Sequence, residues 1–173
     1  MCAETAGSSD YIRPMRWRLL PLVFLFACGP NDNDQCKRFY APYPNHIGER
    51  PRTAMNAPLL DAMAAYDKGD LATAAAGLSA VIDKDAGDRM ARLYLASALL
   101  GSGEPYKAEM HLDFLERVPG AVFKDQTEWY TTLCWLCSRQ LDRALGESTR
   151  IAAQPAHTYK AEARALAEAL TGK

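Results

Sequence analysis

No stretch of this chain is apolar for long enough to cross a bilayer. The best candidate, Leu19 to Ala27, has nine residues and is broken by Pro21, against the roughly 20 that a spanning helix needs. Nor does either sign of charge prevail: 20 Lys and Arg stand against 21 Asp and Glu, for a net charge of −1. The basic residues are scattered, and the positive stripe expected of a nucleic-acid face is missing. The three histidines, His46, His111 and His157, lie far apart. No metal-ligand spacing forms around them, and no Ser or carboxylate partner can be assigned to them. What remains is the composition of an ordinary soluble domain, 49% apolar and 24% charged. At 173 residues the chain can bury one real core and carry appendages.

The first 27 residues read as a targeting segment. Arg13, Arg16 and Arg18 form a basic region before the short apolar run, the pattern of a signal peptide. Met15 would serve as an alternative start. The run ends Leu25-Phe26-Ala27-Cys28. This resembles the lipobox of bacterial lipoproteins, although Phe26 is bulkier than the usual occupant. The resemblance implies cleavage before Cys28, a lipid on its thiol, and anchoring at the cell envelope. A secretory signal cut near Ala27 is the plainer alternative. Asp32 and Asp34 solvate the segment that follows. They also resemble the acidic signals that send some Bacteroidota lipoproteins to the cell surface.

Gly29 to Gln35 is polar and without apolar period, which predicts a flexible tether. Phe39-Tyr40-Ala41-Pro42-Tyr43-Pro44 follows, with three aromatics and two prolines that forbid a continuing helix. Three aromatics facing water would be wasteful. The segment is expected to pack on the first repeat near Leu59, Met63 and Tyr66, closing its open end and also occupying part of a groove. The alternative is a leash whose aromatics meet lipid.

From about Met55 a helical period takes over. Lys68-Gly69-Asp70-Leu71-Ala72-Thr73-Ala74 is echoed 34 residues later by Ser102-Gly103-Glu104-Pro105-Tyr106-Lys107-Ala108. Gly69 breaks a helix, and Asp70 is placed to cap the next. Pro105 suits a first helical turn. A third pair carries the stripe Trp129, Leu133, Leu136 and then Ala144, Leu145, Ile151. Ala108 to Ala144 is 36, so two residues have entered the loop near Pro119-Gly120. Arg139 stands where the turn glycine is expected. Tyr159, Ala163, Leu166 and Leu170 form a last amphipathic helix that would seal the end.

Leu95, Ala96, Gly103, Ala108 and Leu112, with Gly69, Ala74 and Leu78, resemble the tetratricopeptide repeat family. Asp61, Arg139 and Ser148 depart from its motif. The resemblance covers residues 55–156 and implies an all-α fold, an α-solenoid of three helix hairpins. Residues 1–27 are then the signal, 28–54 the tether and 157–173 a capping helix. It also implies a concave groove walled by Leu59, Met63, Tyr66, Leu93, Ser97, Leu100, Trp129 and Leu133, binding a protein partner. The wall lacks the Lys and Asn pattern of repeats that clamp chaperone C-termini. Tether followed by repeats is similar to envelope domains of the Bacteroidota. The expected protein is a lipid-anchored scaffold, not an enzyme, with no cofactor, no metal and no nucleic-acid partner.

One motif argues for a different class. Cys134-Trp135-Leu136-Cys137 has the spacing of a redox dithiol. It sits inside an apolar helix with no strand before it, where a buried thiol is inert. Core packing, a local disulfide and a thiol redox enzyme using Cys134 and Cys137 are the three readings. Cys36, in the tether, is expected to be exposed and able to pair with another molecule. A purely structural spacer is the remaining class.

Overall fold

A computed structural model describes residues 32–120 and 122–172. The signal segment and Cys28 lie outside the described residues. Among those residues there are eight helices and no strand, so the fold is all-α. They are α1 (Asp32–Phe39), α2 (Ala57–Asp67), α3 (Leu71–Lys84), α4 (Arg89–Gly101), α5 (Pro105–Arg117), α6 (Lys124–Cys137), α7 (Leu141–Ala152) and α8 (Lys160–Thr171). From α2 onward each helix packs on the next. In addition α1 lies against α6, and α4 touches α6.

The turns explain the repeat. After α2, Gly69 N–H bonds Tyr66 C=O and Asp70 N–H bonds Ala65 C=O, both at 3.0 Å. After α4, Gly103 and Glu104 bond Leu100 and Leu99 in the same way. After α6, Arg139 and Gln140 bond Leu136 and Trp135. Each is a Schellman ending, which requires one residue in the left-handed region. That residue has φ +76° at Gly69, +83° at Gly103 and +65° at Arg139. The departing arginine therefore keeps the register and carries the steric cost that glycine avoids. Arg139→Gly should raise the unfolding free energy by about 1 kcal/mol and the melting temperature by a few degrees, less whatever Arg139's own contacts contribute. A lower melting temperature would show that those contacts outweigh the strain.

Capping follows the sequence. The Asp70 carboxylate accepts from Thr73 N–H at 3.2 Å, and Asp88 from Ala91 N–H at 2.9 Å. The fully buried positions also repeat. Ala74, Ala108 and Ala144 are all fully buried, and so are Leu78, Leu112 and Ser148. Ser148, a second departure, is tolerated because its hydroxyl donates to Leu145 C=O at 3.1 Å. Asp61, the third, stands 34 before the buried Leu95. It is exposed and pairs with Arg52 through two bonds of 2.8 Å. That pair fixes the chain's entry into α2.

The start of the tether differs from expectation: residues 32–39 are helical, where a flexible segment was expected through Gln35. Residues 40–47 run over the helices, the packed alternative and not the leash. Eight residues fall short of the about 12–15 a helix needs to stand alone. The missing stabilisation comes from α6: Cys36 is disulfide-bonded to Cys137, and Phe39 packs against the core.

Candidate functional site

The segment 40–47, here the strap, crosses one face formed by α2, α4 and α6. Pro42 and Pro44 have no N–H, so the strap presents carbonyls that need donors. Tyrosines supply them. Tyr130 Oη on α6 donates to Ala41 C=O at 2.8 Å. Tyr66 Oη on α2 donates to Tyr43 C=O at 3.0 Å. Tyr94 Oη on α4 donates to Pro44 C=O at 3.0 Å. The strap amides are matched in turn: Tyr43 N–H donates to Ser97 Oγ at 3.0 Å, and His46 N–H to Tyr94 Oη at 2.8 Å. Tyr66 Oη and Ser97 Oγ are 2.7 Å apart. Since Tyr66 gives its proton to the strap, Ser97 donates to Tyr66 while accepting from Tyr43.

Apolar contacts complete the grip. Ile47 is fully buried and Tyr43 nearly so. The Tyr43 ring lies 5.4 Å from Tyr94 and 6.3 Å, edge-on, from Tyr130, a favourable aromatic arrangement. Tyr40 donates to Ser97 C=O at 2.8 Å. Its phenol and the Leu71 side chain stand where a side chain on Gly101 would be, so Gly101 makes room for both. Beyond Ile47, Asn45 Oδ1 accepts from the Ile47 and Gly48 amides and closes a turn. Burial pushes the phenols up: Tyr40 to about 12, and Tyr66, Tyr94 and Tyr130 above the ordinary tyrosine value. All remain protonated donors at neutral pH.

The groove expected from the sequence is therefore covered by the chain itself. Tyr66 and Ser97 bond the strap. Met63, Leu93, Leu100 and Leu133 are core, and Leu59 is half-buried. Trp129 is buried as well, its ring stacked on Tyr159 at 5.6 Å and 12°. The strap reaches past the first hairpin to α4 and α6, further than the sequence suggested. Tyr94 and Tyr130 were missed as contact residues. They lie 36 apart, the spacing of Ala108 to Ala144, and that shared register was the available signal.

The cysteines also pair differently. Cys36, expected to be exposed and able to pair with another molecule, is half-buried and bonded to Cys137 of the same chain, 101 positions away. Cys134 is a free, buried thiol whose burial pushes it far above the usual thiol range. A redox dithiol would need Cys134 and Cys137 paired with each other. Here one is committed elsewhere and the other is held protonated.

A three-residue cluster, Asp125, Glu128 and His157, gathers ligand-type atoms. Tyr159 N–H donates to His157 Nδ1 at 3.1 Å, so the proton sits on Nε2, which faces Glu128 Oε2 at 3.2 Å. Arg150 also holds Glu128 at 3.0 Å, and Thr158 bonds Asp125 through N–H and hydroxyl. A cation would have to displace that proton and compete with Arg150. The cluster reads as the tie that seats the start of α8 on α6. Away from the strap, Ala75, Ala76, Leu95, Leu99 and Met110 line an open apolar cavity of about 470 Å³ between α3 and α5.

Compared with known proteins, the chain matches no family model, no curated protein and no solved structure.

Proposed function

We propose that this protein is a scaffold of the bacterial cell envelope. In this reading it grips an extended segment of a protein partner across the first helices of three TPR-like hairpins, and lipid on Cys28 holds it at the membrane. One observation carries the binding half. Three tyrosine hydroxyls, one from each of three helices, donate to three backbone carbonyls of a single extended segment. Backbone-directed donors flanked by aromatic surface are the equipment of a peptide-binding face. The repeated Schellman turns and buried alanines support the TPR-like reading. The disulfide supports the export half, since such bonds persist in oxidising compartments.

A photo-cross-linking residue placed at the exposed position 67 on α2, where Asp67 accepts from Asn45 of the strap at 2.8 Å, tests the binding half in living cells. Adducts from position 67 and none from the exposed position 110 on α5 are expected. Adducts from position 110 alone would move the partner to the other side of the molecule, and none from either would leave a structural spacer. For the anchor, Cys28→Ala should shift the protein from the membrane to the soluble fraction with its signal uncleaved or cut elsewhere. A variant that fractionates and migrates like the parent would remove the lipid from the reading.

A further inference from the structure

The strap shows what this face accepts. It is extended, it has aromatics three positions apart at Tyr40 and Tyr43, prolines at 42 and 44, and an aliphatic anchor at Ile47. Most of the polar contacts go to its backbone. A segment from another chain with the same chemistry would satisfy the same donors. What excludes it is the strap's own attachment at both ends.

At the far end the strap continues into α2 through residues 48–56. At the near end it is pinned by Cys36–Cys137, and Tyr40 lies one helical turn beyond Cys36, with its N–H on Cys36 C=O at 2.9 Å. Helix α1 is too short to persist alone, so this covalent bond secures the near end beside the packing of Phe39 and the Tyr40 hydroxyl's bond to Ser97. Both cysteines are only half-buried, which leaves the bond open to attack by an outside thiolate. Cys134, one turn before Cys137, is buried and protonated, so it does not act as an internal nucleophile.

We propose that Cys36–Cys137 is a latch: closed, it keeps the strap on the α2–α4–α6 face, and its reduction by a dithiol frees that face for a strap-like segment of a partner. The proposal rests on the peptide-gripping reading above. In the exchange, one thiolate of the dithiol attacks a sulfur of the bond and expels the other cysteine as a thiolate, which takes up a proton. The second thiol of the reductant then displaces the remaining cysteine and closes its own disulfide. Two electrons and two protons pass to Cys36 and Cys137, and the dithiol is oxidised. Opening one end lowers the strap's effective concentration over the face, which is what a competing segment has to overcome.

The test titrates a fluorescent synthetic peptide of residues 37–49 into the full chain in oxidised form, in dithiothreitol, and as Cys36→Ser. Hydrogen exchange of the strap amides and far-ultraviolet circular dichroism are followed in parallel. Binding at least about 10-fold tighter to the reduced and Cys36→Ser chains is expected, with faster strap exchange and any loss of helix confined to the eight residues of α1. Tyr40→Phe, which removes the bond to Ser97 C=O and leaves the disulfide intact, should give an intermediate affinity. Equal strap protection and equal binding in both redox states would overturn the latch. A released strap with no peptide bound would overturn the gripping reading, and the proposal with it. Loss of helix beyond α1 on reduction would make the bond a staple for the whole domain, not a latch.

Discussion

Ala108→Glu should abolish the cooperative thermal transition of the domain. Ala108 has no exposed surface, and it holds in α5 the repeat position that the equally buried Ala74 and Ala144 hold in α3 and α7. Glutamate there adds volume to a filled site and buries a carboxylate without a partner. Either effect costs on the order of 1–3 kcal/mol or more, and together they approach the whole stability of a small domain. Lys107→Glu, one position away and exposed, is the control and should change stability by no more than about 0.5 kcal/mol. A melt of Ala108→Glu within a few degrees of the parent would place position 108 at the surface and undo the register.

The second large effect belongs to the disulfide. Cys36 and Cys137 close a loop of 101 residues, for which chain entropy alone suggests a contribution near 4.7 kcal/mol, with about 2–5 kcal/mol typical of native bonds. Cys36→Ser combined with Cys137→Ser should therefore lower the melting temperature by roughly 10 °C. Cys134→Ala should leave the bond in place and cost about 1 kcal/mol for a small cavity. Peptide mapping without reductant checks the pairing: a fragment joining Cys36 to Cys137 is expected, and one joining Cys134 to Cys137 would refute it.

These two sites mark how far the sequence could be read. Ala108 was legible because buried positions repeat: a small residue recurs 34 and then 36 positions on, with a turn residue keeping the same step. Even Arg139 fits, since the turn demands a backbone conformation and arginine can adopt it at a cost. The disulfide was not legible. Nothing local to Cys36 or Cys137 states a pairing 101 residues long, and the polar sequence around Cys36 predicts no helix without it. The wall of the groove was half legible. Periodicity says that Met63, Leu93 and Leu133 face inward, but not whether water, a partner or the chain itself covers that face. Pro42 and Pro44 foretold an extended strap. Its course was set by which hydroxyls could reach its carbonyls, and that depends on how α2, α4 and α6 sit together.

Hydrogen exchange at the Tyr43 and His46 amides tests the central claim most directly. Both lie in a segment without regular secondary structure, and their N–H groups donate to Ser97 Oγ and Tyr94 Oη on α4. If the face grips an extended chain, these two amides in the oxidised protein exchange slowly, on the scale of the helical core. Exchange at the rate of an unstructured peptide would contradict it, because the strap would then be a leash and the face beneath it open.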